Sequence, residues 1–111
     1  MLRNTNENIT MNEVENDGRT IHLYFNGVVG LYAAYGLSAF ILSQLTEVKP
    51  SFSDDMQMPV VVINHARYEL LKEKLIVVRE ARNYRCLWVE EPIDEQAYDE
   101  WVDVIRSDRN K

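Results

Sequence analysis

The stretch MPVVVINHARYELLKEKLIVV, residues 58–78, contains the pattern that decides the fold class. Residues 58–63 form a β-branched run bounded by a proline, which is typical of a buried strand. Asn64 follows, and asparagine commonly caps the N-terminus of a helix through its side-chain oxygen. Apolar residues then recur at helical spacing, at Tyr68, Leu71 and Leu75. A strand that leads directly into a helix in this way predicts an α+β protein.

The residues after this helix predict a β-hairpin. Residues 76–78 and 86–89 are β-rich and flank a turn at Arg82 and Asn83. The register implied by this turn pairs opposite charges and apolar residues: Glu80 with Arg85, Val78 with Leu87, and Ile76 with Val89. The alternative is one long helix over residues 64–83, which the β-branched residues disfavour because they lose rotamer freedom in a helix.

Upstream of the strand, residues 28–48 predict a buried helix. No Asp, Glu, Lys or Arg occurs between Arg19 and Glu47, and apolar residues occupy nearly every face. Small residues recur at every fourth position and form one narrow seam, at Gly30, Ala34 and Ser38. A membrane-spanning helix is the alternative. Tyrosine, serine and glutamine dilute the segment and no basic cluster flanks it, so we predict a buried central helix after a strand at residues 20–25.

The two ends of the chain have different characters. Residues 1–18 are rich in Asn and Glu and poor in aliphatic residues, which predicts a disordered tail before a single domain at residues 19–111. Pro92 suits the first turn of a helix. An apolar stripe follows it at Ile93, Ala97, Trp101, Val104 and Ile105. The prediction is a small β-α-β-α-β-β-α domain, with a mixed sheet packed on an apolar central helix and an amphipathic C-terminal helix.

Composition narrows the classes of partner. The 111 residues carry a formal net charge of −6, which argues against nucleic acid and anionic membrane surfaces as partners. The single cysteine, Cys86, can form neither an internal disulfide nor a multi-cysteine zinc site. With no apolar leader segment at the N-terminus, we expect a reducing, cytoplasmic location.

The most concentrated charge lies near the C-terminus. Residues 90–103 hold seven carboxylates and no Lys or Arg. An ordinary solvated helix face explains this run, because acids early in a helix complement its dipole. The functional hypothesis is a docking face for a basic protein partner. The residues that we expect to carry it are Glu91, Asp94, Glu95, Asp99 and Glu100.

A basic segment offers a counterpart to the acidic run. Its cations are Arg67, Lys72, Lys74, Arg79, Arg82 and Arg85. An ordinary balance of positive and negative charges on the protein surface accounts for them. The functional hypothesis is self-association, in which the basic hairpin of one subunit contacts the acidic helix of another. We lean towards a homodimer, the commonest oligomer.

A second hypothesis from another class is a small-ligand or nucleotide-binding domain. The glycine-containing turn before the central helix could present backbone amides to an anion, and two tyrosines one helical turn apart could flank a shallow pocket. The candidate residues for such a site are Asn26, Gly27, Tyr32, Tyr35, Arg67 and Arg85.

Catalytic groups are few and isolated in the sequence. His22 lies in a predicted strand and His65 at a predicted helix start, and nothing nearby specifies a partner for either. Cys86 is interpreted as a small buried strand residue. We predict no catalytic residues, no metal site and no cofactor. The sequence therefore favours a non-catalytic acidic interaction protein, of inhibitor, immunity or regulatory type.

Overall fold

The structure is a computed structural model that describes residues 5–109, without the side chain of Arg109. The helices are α1 (Asn6–Val14), α2 (Gly36–Thr46), α3 (His65–Lys74) and α4 (Glu95–Arg109). The strands are β1 (Thr20–Asn26), β2 (Leu31–Tyr35), β3 (Ser51–Ser53), β4 (Met58–Asn64), β5 (Ile76–Ala81) and β6 (Tyr84–Trp88). They form a six-stranded sheet in the order β3-β4-β2-β1-β6-β5. The predicted α+β class is confirmed.

The segment from β4 to α3 forms as its local sequence predicts. The side chain of Asn64 caps α3, because its Oδ1 accepts a hydrogen bond of 2.9 Å from the backbone N–H of Arg67. Helix α3 ends at Lys74 and the chain continues as β5, so the alternative of one long helix over residues 64–83 is wrong.

The hairpin of β5 and β6 matches the predicted register only near its turn. Glu80 lies opposite Arg85, as predicted. An irregularity between Val77 and Arg79 then shifts the pairing, so that Val77 rather than Val78 lies opposite Leu87. A bulge inserts one extra residue into one strand, and cross-strand pair preferences carry no signal for it.

The predicted helix over residues 28–48 is wrong in its first half. Residues 31–35 form β2, which pairs with β1 on one side and with β4 on the other. The helix begins only at Gly36. An apolar run of this kind suits a buried strand as well as a buried helix, and here two neighbouring strands supply hydrogen bonds to both edges of β2.

Two further predictions, the small-residue seam and the mixed sheet, also differ from the structure. The seam of Gly30, Ala34 and Ser38 is divided among a turn, a strand and a helix. The paired strands in the described part are all antiparallel, where the sequence predicted a mixed sheet. Over residues 5–109, no helix combines the length and the apolar character needed to cross a bilayer.

The described part of the predicted disordered tail also differs from the prediction. Residues 1–4 lie outside the described residues, but residues 6–14 form α1, which places Ile9 against the sheet at 5% exposure. The prediction of a disordered tail is based on the low aliphatic content of these residues. Ile9 is the one buried residue of α1, and polar contacts from Asn12 and Glu13 supplement its packing. Composition does not reveal such polar contacts.

The sheet has two faces that are covered unequally. One face, here called the helix face, packs against α2, α3 and α4 and holds most of the core. Its buried strand residues are Ile21, Leu23, Tyr32, Ala34, Val61, Ile63 and Leu87. The other face, here called the α1 face, carries a smaller cluster in which Ile9 meets Tyr24, Tyr84 and Cys86.

Candidate functional site

The five carboxylates predicted to bind a partner are all exposed. Glu91 lies in the segment before α4, and the other four follow along or just before the helix. Asp94 accepts a hydrogen bond of 3.0 Å from the backbone N–H of Gln96, so it also stabilises the start of α4. Among the described residues, no ion pair neutralises any of the five. These five exposed carboxylates are here called the acidic face.

The apolar side of α4 explains why these carboxylates point outwards. Tyr98 and Trp101 are half-buried, and each packs an aromatic ring against Phe40 of α2. Val104, which the sequence placed in the buried stripe, is 59% exposed. Helix α4 begins at Glu95, three positions after Pro92, so the proline precedes the helix rather than lying in its first turn.

An apolar groove of about 570 Å³ adjoins the acidic face. Its apolar walls come from Leu45 of α2, Ile76 of β5 and Ile93 beyond β6, and its rim includes Glu90 and Glu91. The side chains of Leu45 and Ile76 are 47% and 60% exposed. Sequence reasoning missed this groove because its walls come from three distant segments, each of which carries no distinctive signal alone.

The predicted basic face is not a single surface. Arg85 is an enclosed cation of the helix face, with its guanidinium 5.7 Å from the ring centroids of Phe25, Tyr32 and Tyr68. Its Nε lies 3.5 Å from a carboxylate oxygen of Glu80. Arg79 lies over the ring of Tyr84, on the other side of the sheet. Because the sheet separates Arg79 from Arg85, these two cations cannot contact the same surface of a partner.

The six candidate ligand-binding residues are also divided by the sheet. The prediction that Tyr32 and Tyr35 flank one pocket is wrong, because they stand three positions apart in a strand and point to opposite faces. Asn26 and Gly27 lie at the exposed β1–β2 turn. Arg67 is exposed at the start of α3, where its Nη1 donates to the carbonyl of Thr46 at 3.4 Å.

Tyr32 and Arg85 are the members of that set that do meet, and other side chains fill the space around them. Tyr32 is 1% exposed, and its ring stacks on Tyr68 with centroids 4.5 Å apart. Its hydroxyl shares a hydrogen bond of 2.9 Å with Nδ1 of His65. This close packing makes Tyr32 a core residue with a polar end rather than a platform for a ligand.

The histidines occupy different environments. His22 lies directly opposite Cys86 in the β1–β6 pair, on the α1 face, and shares a hydrogen bond with the hydroxyl of Tyr84. Burial lowers the pKa of His22 to about 4. His65 is exposed, with its Nε2 3.2 Å from Glu69.

Cys86 is a buried strand residue, as predicted. Burial raises the pKa of its thiol, which opposes formation of the nucleophilic thiolate. Within the described part of the chain, no three metal-ligating side chains come together.

A partly buried polar network that the sequence did not reveal joins α1 to α2. One carboxylate oxygen of Glu13 accepts a hydrogen bond of 2.8 Å from the backbone N–H of Ser38, and the other accepts one of 2.6 Å from the Ser38 hydroxyl. The Ser38 hydroxyl oxygen accepts a bond of 2.9 Å from the backbone N–H of His22. Burial raises the pKa of Glu13 to about 7. No sequence signal separates this glutamate from the other acids of the N-terminal segment.

Comparison with known proteins does not assign this chain to a family. No family model, curated protein or solved structure gave a significant match to the chain. The side chains and surfaces of the chain itself are therefore the basis for inferring its function.

Glu13 and His22 should give opposite pH dependences of stability. Between about pH 4.5 and 7, folded Glu13 holds a proton that the unfolded chain releases, so its contribution to the free energy of unfolding falls as pH rises. Between about pH 6.5 and 4, unfolded His22 takes up a proton that the folded chain excludes, so its contribution falls as pH falls. The two effects oppose each other where the ranges overlap.

We therefore expect the free energy of unfolding of the wild-type protein to vary little between about pH 5 and 6.5. Glu13→Gln should lose stability towards acid, and His22→Asn should gain it, each by at most about 1.4 kcal/mol per pH unit. Urea unfolding at about pH 5 and pH 6.5 measures how the free energy of unfolding of each variant changes with pH. Parallel slopes for the two variants would contradict the assignment.

Proposed function

We propose that this protein is a non-catalytic binding protein of inhibitor, immunity or regulatory type. Its partner is a protein segment that inserts an apolar side chain into the groove and presents Lys or Arg to the acidic face. The observation that supports this proposal is the position of Glu91, which belongs to the acidic run and also lies on the rim of the groove.

The two surfaces contribute different parts of such an interaction. Burying an exposed aliphatic residue such as Leu45 or Ile76 against a partner contributes about 25 cal/mol per Å² of apolar area removed from water. The carboxylates of α4 are exposed and would act mainly on the association rate and on orientation. The groove lining also includes Lys74, so the charge around it is mixed. The carboxylates of the acidic face, rather than the groove itself, would favour a basic, amphipathic partner.

Charge reversal on α4 tests the acidic face. We expect Asp99→Lys combined with Glu100→Lys to weaken partner binding by about tenfold or more, because like charges then face each other across the interface. The melting temperature should change by only a degree or two, because both residues are exposed. Pull-down from the native cell identifies the partner, and calorimetry with the purified pair measures the affinity.

A matched control separates a specific face from net charge. Glu15→Lys combined with Glu73→Lys makes the same change in net charge at exposed sites at the end of α1 and on α3. This control should bind normally. Equal losses in the two double variants would reject the acidic face as the binding surface.

The groove has its own matched pair of variants. Leu45→Glu places a charge in the groove, whereas Leu70→Glu places one on α3 at a leucine that is 57% exposed and outside the groove lining. We expect only Leu45→Glu to reduce binding. Normal binding by Leu45→Glu would remove the groove from the proposed interface.

Two sequence-based expectations remain predictions. They are a cytoplasmic location and a homodimer. Sedimentation at micromolar concentration tests the second, since a single species near the chain mass of 13.0 kDa would reject it.

A further inference from the structure

Helix α1 is attached to the rest of the domain by few apolar contacts. Among its described residues, Ile9 alone is buried. Burying one aliphatic side chain contributes only about 1.5–3 kcal/mol. Asn12 adds a hydrogen bond of 2.9 Å from its Nδ2 to the Tyr24 hydroxyl. A helix held in this way can separate from the sheet at modest cost without unfolding the core beneath it.

Glu13 makes the main polar attachment of α1. The N-terminus of α2 lacks a side-chain cap from its own N-cap residue, Tyr35. The carboxylate of Glu13 supplies that cap from another helix, through its two hydrogen bonds with Ser38. The contact is close, because a Cβ built on Gly36 would lie 3.3 Å from Cγ of Glu13.

The surface beneath α1 is unlike the rest of the protein surface. Ile9 closes a cluster that contains Tyr24, Tyr84 and Cys86, and each of these is less than one-tenth exposed. Removing α1 would uncover tyrosine rings and the single cysteine of the chain on an otherwise open sheet face. Access to Cys86 therefore reports whether α1 is attached.

Among the described side chains, no cation lies next to Glu13 to balance its charge. Ser38 and Leu37 of α2 donate backbone hydrogen bonds to it, and the titratable groups that face it are Tyr24 of β1, Cys86 of β6 and Tyr98 of α4. Glu95 and Asp99 line the same cavity of about 360 Å³, whose described lining contains no Lys or Arg. His22 reaches the network only through its backbone N–H.

An ionised Glu13 is thus a largely desolvated charge among the ends of neutral side chains. The backbone and hydroxyl donors of Ser38 offset this cost only in part, and burial raises the pKa of Glu13 to about 7. Separation of α1 returns the carboxylate to water, where it ionises near its ordinary value of 4.5. Rising pH therefore favours the separated form.

We propose that α1 is a detachable strap, latched by Glu13 and opened by rising pH, which controls access to the tyrosine-rich face and to Cys86. Glu95 and Asp99 of the acidic face also line the cavity of Glu13, but the strap does not rest on the proposed partner, and its test needs none.

The experiment measures alkylation of Cys86 in the full chain at pH 6 and pH 8. Dividing the wild-type rate by that of Glu13→Gln at the same pH cancels the ionisation of the thiol and of His22. The opening equilibrium predicts that this ratio rises about tenfold from pH 6 to pH 8. Glu15→Gln, at an exposed position at the end of the same helix, should behave like the wild type. A ratio that stays constant within twofold would overturn the proposal.

Hydrogen exchange followed by mass spectrometry distinguishes strap opening from global unfolding. Exchange of the peptide over residues 6–14 should rise with pH relative to the same peptide in Glu13→Gln. The peptide over residues 58–64 should show no such rise. A parallel rise in both peptides would assign the labelling of Cys86 to unfolding of the whole domain and would overturn the strap.

Discussion

Replacing Tyr32 by alanine is expected to lower the free energy of unfolding by about 3–5 kcal/mol, the range for deleting a buried aromatic side chain. Its ring lies between Phe25 and Tyr68, at centroid distances of 4.7 and 4.5 Å, under the guanidinium of Arg85. The variant would therefore leave a cavity and would also remove aromatic contacts from a buried cation. Guanidinium unfolding followed by tryptophan fluorescence measures the loss.

Tyr35→Ala is the matched control, because it removes the same side chain from the same strand on the other face. Tyr35 is half-buried, so we expect a loss of about 1–2 kcal/mol. Tyr32→Phe removes only the hydroxyl bonded to His65 and should cost about 1 kcal/mol. Equal losses for the two alanine variants would contradict the placement of Tyr32 and Tyr35 on opposite faces.

Replacing Gly36 by alanine is expected to have the second largest effect, a loss of about 2–3 kcal/mol. Gly36 has φ of +56°, a conformation that costs a residue with a Cβ about 1–2 kcal/mol. Its new Cβ would also lie 3.3 Å from Glu13 and from Sδ of Met58. At this distance the neighbouring side chains must shift by a few tenths of an ångström. The shift adds to the backbone strain and involves Glu13, the residue that latches α1.

Gly30→Ala isolates the backbone contribution. Gly30 has φ of +68°, and no described atom beyond its chain neighbours lies within 4 Å of the position that a Cβ would take there. We expect a loss of only about 1–2 kcal/mol for this variant. Urea unfolding compares the two, and hydrogen exchange over residues 6–14 should increase for Gly36→Ala alone. A larger loss for Gly30→Ala would show that the contact with α1 contributes nothing.

Local sequence determined the parts of the fold whose signals lie within one element. The β-branched run before Asn64 specified β4, and the Asn64 cap specified the start of α3. The pairing of Glu80 with Arg85 followed from the charges beside the turn. Exposure of the carboxylates on α4 followed from helical periodicity, because a helix that buries one stripe presents the opposite one to solvent.

Tertiary structure determined the remaining parts of the fold, because the residues that pair with them are distant in sequence. The residues of β2 could pack as a helix or as a strand, and the free edges of β1 and β4 selected the strand. That choice moved Tyr32 and Tyr35 to opposite faces and removed the predicted ligand site. Helix α1 likewise depends on the cap that Glu13 gives to Ser38, a contact across 25 positions. Local periodicity reports which side of an element is apolar, whereas hydrogen-bond partners and groove walls from remote segments exist only after the chain has folded.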